Sequence, residues 1–327
     1  MHKSTVCGIC TFLLIGAAAP GDAASTLPTA APPGEAPSVA AALAIARDAA
    51  DRMTVPVMID GKGPFDFVVD TGADRTSISR DLAVKLGLPP GPPVLLNGSS
   101  GARTEQTVVL DTVSVGSRQI TNVEAPVLSR AWLGADGMLG VDAVRDQAVV
   151  LDFVAHRMTV QKLEPDAVDP NAIVVSGRNR YGQLILLDAH VNGEPVYVIL
   201  DSGTQTTVAN SAFRGEFADG GTAADGNKPV TVLSVIGGTT PGQFASVPEL
   251  TLGDLTLQNV PVVFSDLYTF SLFHLEHRPA MLLGVNVLRS FDRVSIDYRH
   301  RKVSFTLNRS ALSWDLAQRN AQQALNR

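Results

Sequence analysis

Cysteine is nearly absent. The chain of 327 residues holds two, Cys7 and Cys10, both among its first ten positions, so the rest of it has no disulfide framework and no Cys-based metal site. No cluster of Lys or Arg breaks a balance of 26 basic against 32 acidic residues, a formal charge of −6, and no nucleic-acid partner is expected. Gly-x-Ser-x-Gly, Gly-x-x-x-x-Gly-Lys and the dinucleotide fingerprint are all missing, which leaves serine-hydrolase, NTPase and Rossmann readings without support. Apart from the N-terminus, no segment is apolar enough to span a membrane. With 45% hydrophobic and 18% charged residues, the composition is nonetheless that of a folded globular chain, not a disordered one.

The first 23 residues resemble a secretory signal peptide. Lys3 gives a short positive start, Val6 to Ala19 an apolar stretch too short to span comfortably, and Gly21-Asp22-Ala23 a small-x-small cleavage site. Cleavage is expected after Ala23 or Ala24, an uncleaved anchor being the alternative. Cleavage would leave a chain without cysteine, held together by core burial alone and not stably inserted in a membrane. Export to a bacterial periplasm, or secretion, is the expected localisation. Residues 24–52 read as an Ala/Pro-rich linker, with a short helix over 39–51.

Beyond residue 52 the chain turns to short β-branched runs punctuated by Gly, Asn, Asp and Pro, which predicts mostly strands. These runs occur twice in the same order. Asp70 pairs with Asp201, Gly116 with Gly253, Gly140 with Gly284 and Asp152 with Asp297. Two copies of this length predict two similar lobes, residues 53–163 and 180–308, with a connector over 164–179 and a helical tail over 309–327. Trp132 and Trp314 are read as packing residues. His274-Leu275-Glu276-His277 lacks a third ligand and is read as a surface loop, and no metal site is predicted.

In each copy an apolar strand ends at an acid, a small hydroxyl residue and a glycine: Asp70-Thr71-Gly72 and Asp201-Ser202-Gly203. A carboxylate at the end of a buried strand is costly unless something uses or satisfies it. Gly72 and Gly203 permit a tight turn, and Thr71 and Ser202 can hydrogen-bond across a pseudo-dyad. An apolar pair and a glycine follow in each copy, Met138-Leu139-Gly140 and Leu282-Leu283-Gly284.

At these residues the chain resembles the aspartic proteases, specifically their retropepsin-like branch. The first copy carries Asp70-Thr71-Gly72-Ala73-Asp74-x-Thr76-x-Ile78-Ser79, followed downstream by Gly140-Val141-Asp142. The second matches more loosely, as Asp201-Ser202-Gly203-Thr204 and Gly284-Val285-Asn286. The resemblance covers residues 53–308. It implies an all-β fold of two pseudo-symmetric retropepsin/pepsin-like lobes with an active-site cleft between them, completed in one chain and hence monomeric.

It further implies an aspartic endopeptidase with Asp70 and Asp201 as catalytic residues, supported by Thr71, Gly72, Ser202 and Gly203, needing no cofactor and acting on a peptide or protein. Like charges about 3 Å apart cannot both ionise, so such a pair shares one proton and titrates as a unit. The pH optimum is expected on the acid side, with burial and neighbouring groups able to move it toward neutral.

Two Gly-rich stretches, Leu96 to Gly101 and Ile236 to Thr240, sit where flaps would cover the cleft. Neither carries the tyrosine that pepsin-like flaps present, and Val141 and Val285 stand where retroviral enzymes have arginine. Asp74 is left outside catalysis. The second reading is a catalytically silent, two-lobed peptide-binding or scaffolding protein of the same fold.

Overall fold

The structure is a computed structural model and describes residues 9–10, 15–17, 53–145, 147–161, 169, 172–180, 183–186, 188–217 and 228–307. The helix expected over 39–51 and the tail over 309–327, with Trp314, lie outside the described residues, as does most of the segment read as signal peptide and linker.

Each lobe opens with a hairpin whose turn the sequence dictates. Thr54–Ile59 pairs with Lys62–Val69 through Asp60-Gly61, and Ala189–Val191 pairs with Glu194–Pro195 through Asn192-Gly193. All four turn residues have positive φ, 51° and 73° in the first turn and 51° and 85° in the second. Asp/Asn followed by Gly is the pair that tolerates this conformation, and its twist matches that of the flanking strands. Alternation then takes over: Val55, Val57 and Ile59 point inward.

The strand that ends at each acid lies at the centre of its lobe. Lys62–Val69 runs parallel to Gly137–Leu139, which pairs antiparallel with Ser77–Ser79. In the second lobe Tyr197–Leu200 runs parallel to Ala280–Leu283, which pairs antiparallel with Val208–Ala209. These central strands are covered on both faces, so they are continuous apolar runs: Val68-Val69, Met138-Leu139, Ile199-Leu200 and Leu282-Leu283 are all buried. A long hairpin projects from each lobe, Pro90–Gly98 with Gly101–Val115 and Lys228–Leu233 with Thr239–Leu252.

The lobes are joined by a sheet to which both contribute. Ala148–Asp152 pairs antiparallel with Phe291–Asp297, Ala148 opposite Asp297 and Asp152 opposite Arg293. Arg293 Nη2 lies 2.9 Å from Asp152 Oδ2. Part of the stretch read as connector belongs to this sheet: Ile173–Arg180 is a strand whose Ile173 to Ser176 pair with Lys302 to Phe305. The β-branched Ile173-Val174-Val175 finds an unpaired edge there, and pairing satisfies backbone groups that a free connector would leave to water. The main apolar cluster is continuous from Val55 in the first lobe through this sheet to Phe305. The architecture is all-β, two pseudo-symmetric lobes with a cleft between them.

Two short N-terminal strands add to the projecting hairpins. Ile9–Cys10 runs parallel to Asn97–Gly98, and Ile15–Ala17 antiparallel to Val230–Val232.

Candidate active site

The two Asp-hydroxyl-Gly turns meet face to face at the floor of the cleft. Thr71 Oγ1 donates to Leu200 O (3.0 Å) and accepts from Ser202 N (2.8 Å), while Ser202 Oγ donates to Val69 O (2.8 Å) and accepts from Thr71 N (3.2 Å). Each hydroxyl thus uses a donor and an acceptor on the opposite lobe. All four bonds are buried, where an unpaired group would be expensive.

This grip brings the acids together. Asp70 and Asp201 are fully buried and share a side-chain hydrogen bond. The glycines show how close the turns are: a Cβ at Gly72 would lie 2.8 Å from the Asp201 carboxyl carbon, and one at Gly203 would collide with the Asp70 carboxyl. Only glycine fits at either position. Each glycine also turns its backbone N–H back onto the acid of its own lobe, Gly72 N to Asp70 Oδ1 at 2.7 Å and Gly203 N to Asp201 Oδ1 at 3.0 Å.

The pair is not symmetric. Thr204 N donates to Asp201 Oδ1 (3.1 Å) and Thr204 Oγ1 to Asp201 Oδ2 (2.7 Å), whereas the first lobe has Ala73 at the matching place. Burial pushes the Asp201 carboxyl up to about 6, against the lowering effect of donors from Thr204, Asp70 and Gly203. Beneath the grip lies Tyr298, whose phenol is pushed up by burial first and then by the carboxylates of Asp70 and Asp201. Phe153 is its counterpart in the first repeat.

A second, outer layer holds the turns from behind. In the first lobe Thr76 Oγ1 donates to Asp142 Oδ1 (2.8 Å) and accepts from Gly140 N (3.3 Å); in the second, Thr207 Oγ1 donates to Asn286 Oδ1 (2.8 Å) and accepts from Gly284 N (3.1 Å). Thr76 N and Thr207 N donate to the same two side chains. Asp142 is pushed up by burial, against donors from Thr76 and Ala143 and the Arg75 charge.

Every site residue singled out from sequence, Asp70, Thr71, Gly72, Asp201, Ser202 and Gly203, lies in this one cluster. Asp74 is half-buried and takes no place in the pair. His274, Glu276 and His277 are exposed, on the turn that follows Tyr268–Leu272, and Trp132 is half-buried. Sequence reasoning did not assign roles to Thr204, Asp142, Asn286 or Tyr298. For Thr204 the signal was its contrast with Ala73; for Asp142, an acid where the second copy has Asn286.

Both Gly-rich stretches are at the tips of the projecting hairpins, and the tips reach over the acids. Leu96 of the first, with Val235 and Ile236 of the second, packs with Val68, Ala73 and Met138 beside Asp70. Ser99 O accepts from Tyr268 N in the second lobe (2.9 Å).

A family model described as aspartyl protease matches residues 55–143 and 187–287, one stretch in each lobe. The chain belongs to that family. Solved structures similar to it include a retropepsin-like aspartic protease from Rickettsia conorii, at 16% identity and a TM-score of 0.29, covering 42% of this chain and 100% of that one. Conglutin gamma, a basic 7S globulin from lupine seeds, is 12% identical with a TM-score of 0.34, covering 78% of this chain and 95% of its own. Basic 7S globulin from soybean is 9% identical with a TM-score of 0.36, covering 78% and 96%. No curated protein shows significant similarity to the chain.

Proposed function

We propose that this member of the aspartyl protease family is an exported, monomeric aspartic endopeptidase in which Asp70 and Asp201 are the catalytic residues. The observation that carries the reading is the buried, hydrogen-bonded carboxyl pair, each member packed against the other lobe's glycine. One shared proton lets such a pair act as base and acid at once.

The donors around Asp201 favour its carboxylate as the seat of the negative charge, leaving the proton on Asp70. In the proposed reaction the Asp201 carboxylate removes a proton from a water held between the acids, and the water oxygen bonds to the peptide carbonyl carbon. Asp70 donates its proton to the carbonyl oxygen as charge develops there. The resulting diol collapses: the C–N bond breaks, the amine nitrogen takes the proton held by Asp201, and one diol hydroxyl returns a proton to Asp70. An extended peptide suits the cleft because the hairpins accept strands along their edges, as Ile9–Cys10 and Ile15–Ala17 do.

The test is cleavage of a diverse peptide mixture across pH 3 to 9 by the wild type, Asp70→Asn and Asp201→Asn. Cleavage by the wild type is expected to fall by at least about a thousandfold in either variant, the scale of losing an essential catalytic group. A wild type that binds peptides and cuts none would instead identify a silent peptide-binding protein of the same fold. Cleavage retained in both variants would remove Asp70 and Asp201 from the chemistry.

A further inference from the structure

The two hairpins are bonded to each other. Arg103, on the second strand of the first hairpin just past its tip, donates through Nη1 to the carbonyl oxygen of Ile236 at the tip of the second. Ser100 Oγ donates to the next carbonyl, Gly237 O, at 2.9 Å. The tips are also in tight contact: a Cβ at Gly98 would meet Ile236 Cγ1 and Ser234 Oγ at 2.7 Å, and one at Gly238 would meet Ser100 Oγ at 2.8 Å. Gly237 and Gly238, at φ 82° and 90°, allow the backbone conformation that turns the two carbonyls outward to the first hairpin.

Arg103 is held for this contact. Its Nε lies 3.2 Å from Glu105 Oε1, two residues on and therefore on the same face of the strand. With Nε engaged by the carboxylate, the planar guanidinium has its outer nitrogens free to reach across the gap, a geometry lysine cannot reproduce. The second hairpin has no arginine at the matching place: beyond its tip run Thr239, Thr240, Pro241, Gly242 and Gln243. Two hairpins in one chain can be made unequal in this way, since each position mutates independently of its repeat partner.

We propose that Arg103, with Ser100, latches the two hairpins into one lid that moves as a unit over Asp70 and Asp201, making Arg103 a positioning residue for substrate. Its effect on turnover rests on the peptidase reading; the coupling of the hairpins does not. Because Val235 and Ile236 pack beside Val68 and Met138, release of the latch at Ile236 is coupled to withdrawal of these side chains from the cleft wall. A peptide entering the cleft therefore meets both hairpins together.

The experiment is amide hydrogen exchange on the full chain, comparing wild type with Arg103→Met, Arg103→Lys and Ser100→Ala. Loss of one charge-assisted bond is expected to speed exchange about tenfold at residues 97–101 and also at 234–239, although the substitution touches only the first hairpin. Arg103→Lys should fall between wild type and Arg103→Met. Ser100→Ala should loosen both hairpins to a smaller degree, and stands as the test should Arg103→Met not fold. Faster exchange confined to residues 97–101, or none, would overturn the latch.

With a cleavable peptide, Arg103→Met should raise KM about fivefold while kcat stays within about twofold, the mark of lost ground-state holding. A protein that cuts nothing yet loosens at both tips would keep the latch and lose the peptidase. One that cuts peptides while its tips loosen separately would do the reverse.

Discussion

At the scale of single residues, the telling position is the one three after each acid. Thr204 places a hydroxyl and an N–H on Asp201, where Ala73 offers no side-chain donor. A donor to a carboxylate stabilises the charged form, so Thr204 holds the Asp201 carboxyl below where burial alone would put it. The working, singly protonated pair forms as Asp201 loses its proton. Cleavage should therefore rise with pH through about 6, nearer neutral than the sequence resemblance alone suggested. In Thr204→Ala this acid limb should move to higher pH, as read from kcat/KM against pH. A limb that stays in place would show that the hydroxyl does not face the ionising oxygen. The sequence disclosed this residue only in part. Asp201-Ser202-Gly203-Thr204 was visible as a string, but the hydrogen bond depends on how the turn folds back.

At the scale of elements, two turns 131 residues apart are made into one site by two side chains. Ser202→Ala would delete the donor to Val69 O and the acceptor of Thr71 N, leaving two backbone groups buried and unpaired. At roughly 1–3 kcal/mol per unpaired group, the expected loss is about 3 kcal/mol. Urea denaturation would measure it, and a change below about 0.5 kcal/mol, the scale of ordinary surface substitutions, would mean that water takes over both groups. The strand-end acids, their glycines and the repeat itself were legible because each is a local pattern, an apolar run stopped by a turn. The strand Ile173–Arg180 was less legible: its apolar run is short and follows Pro170-Asn171, and it is pairing with Lys302–Leu307 over its first half and with Gln183–Leu186 over its second that makes it a strand. The contact of Arg103 with Ile236 was not legible at all. It depends on the lean of two hairpins toward each other, which no local spacing encodes.

At the scale of the whole molecule, the buried acids give the fold its own pH dependence. Asp201 and Asp142 are both raised by burial, and so is Glu105, against the pull of Arg103 and Arg80. A carboxyl whose folded pKa lies above its unfolded one binds its proton more tightly in the fold. The stability it contributes is complete below the unfolded value, 3.8 for Asp and 4.5 for Glu, and is lost as pH rises through the folded value, about 6 for Asp201. Asp152 has the opposite sign, lowered by the Ala155 N–H and by Arg293, so its contribution holds above 3.8 and fades on acidification. These terms together place maximum stability near pH 4 to 5, with the melting temperature falling toward pH 8. Asp201→Asn should flatten that descent by removing the costly charge. Asp142→Asn, which installs the side chain the second lobe already uses against Thr207, should flatten it further. Calorimetric melts of the three proteins from pH 4 to 8 decide the matter. A descent equally steep in all three would mean that the pairing of the two lobes, and not these carboxyls, sets how the molecule responds to pH.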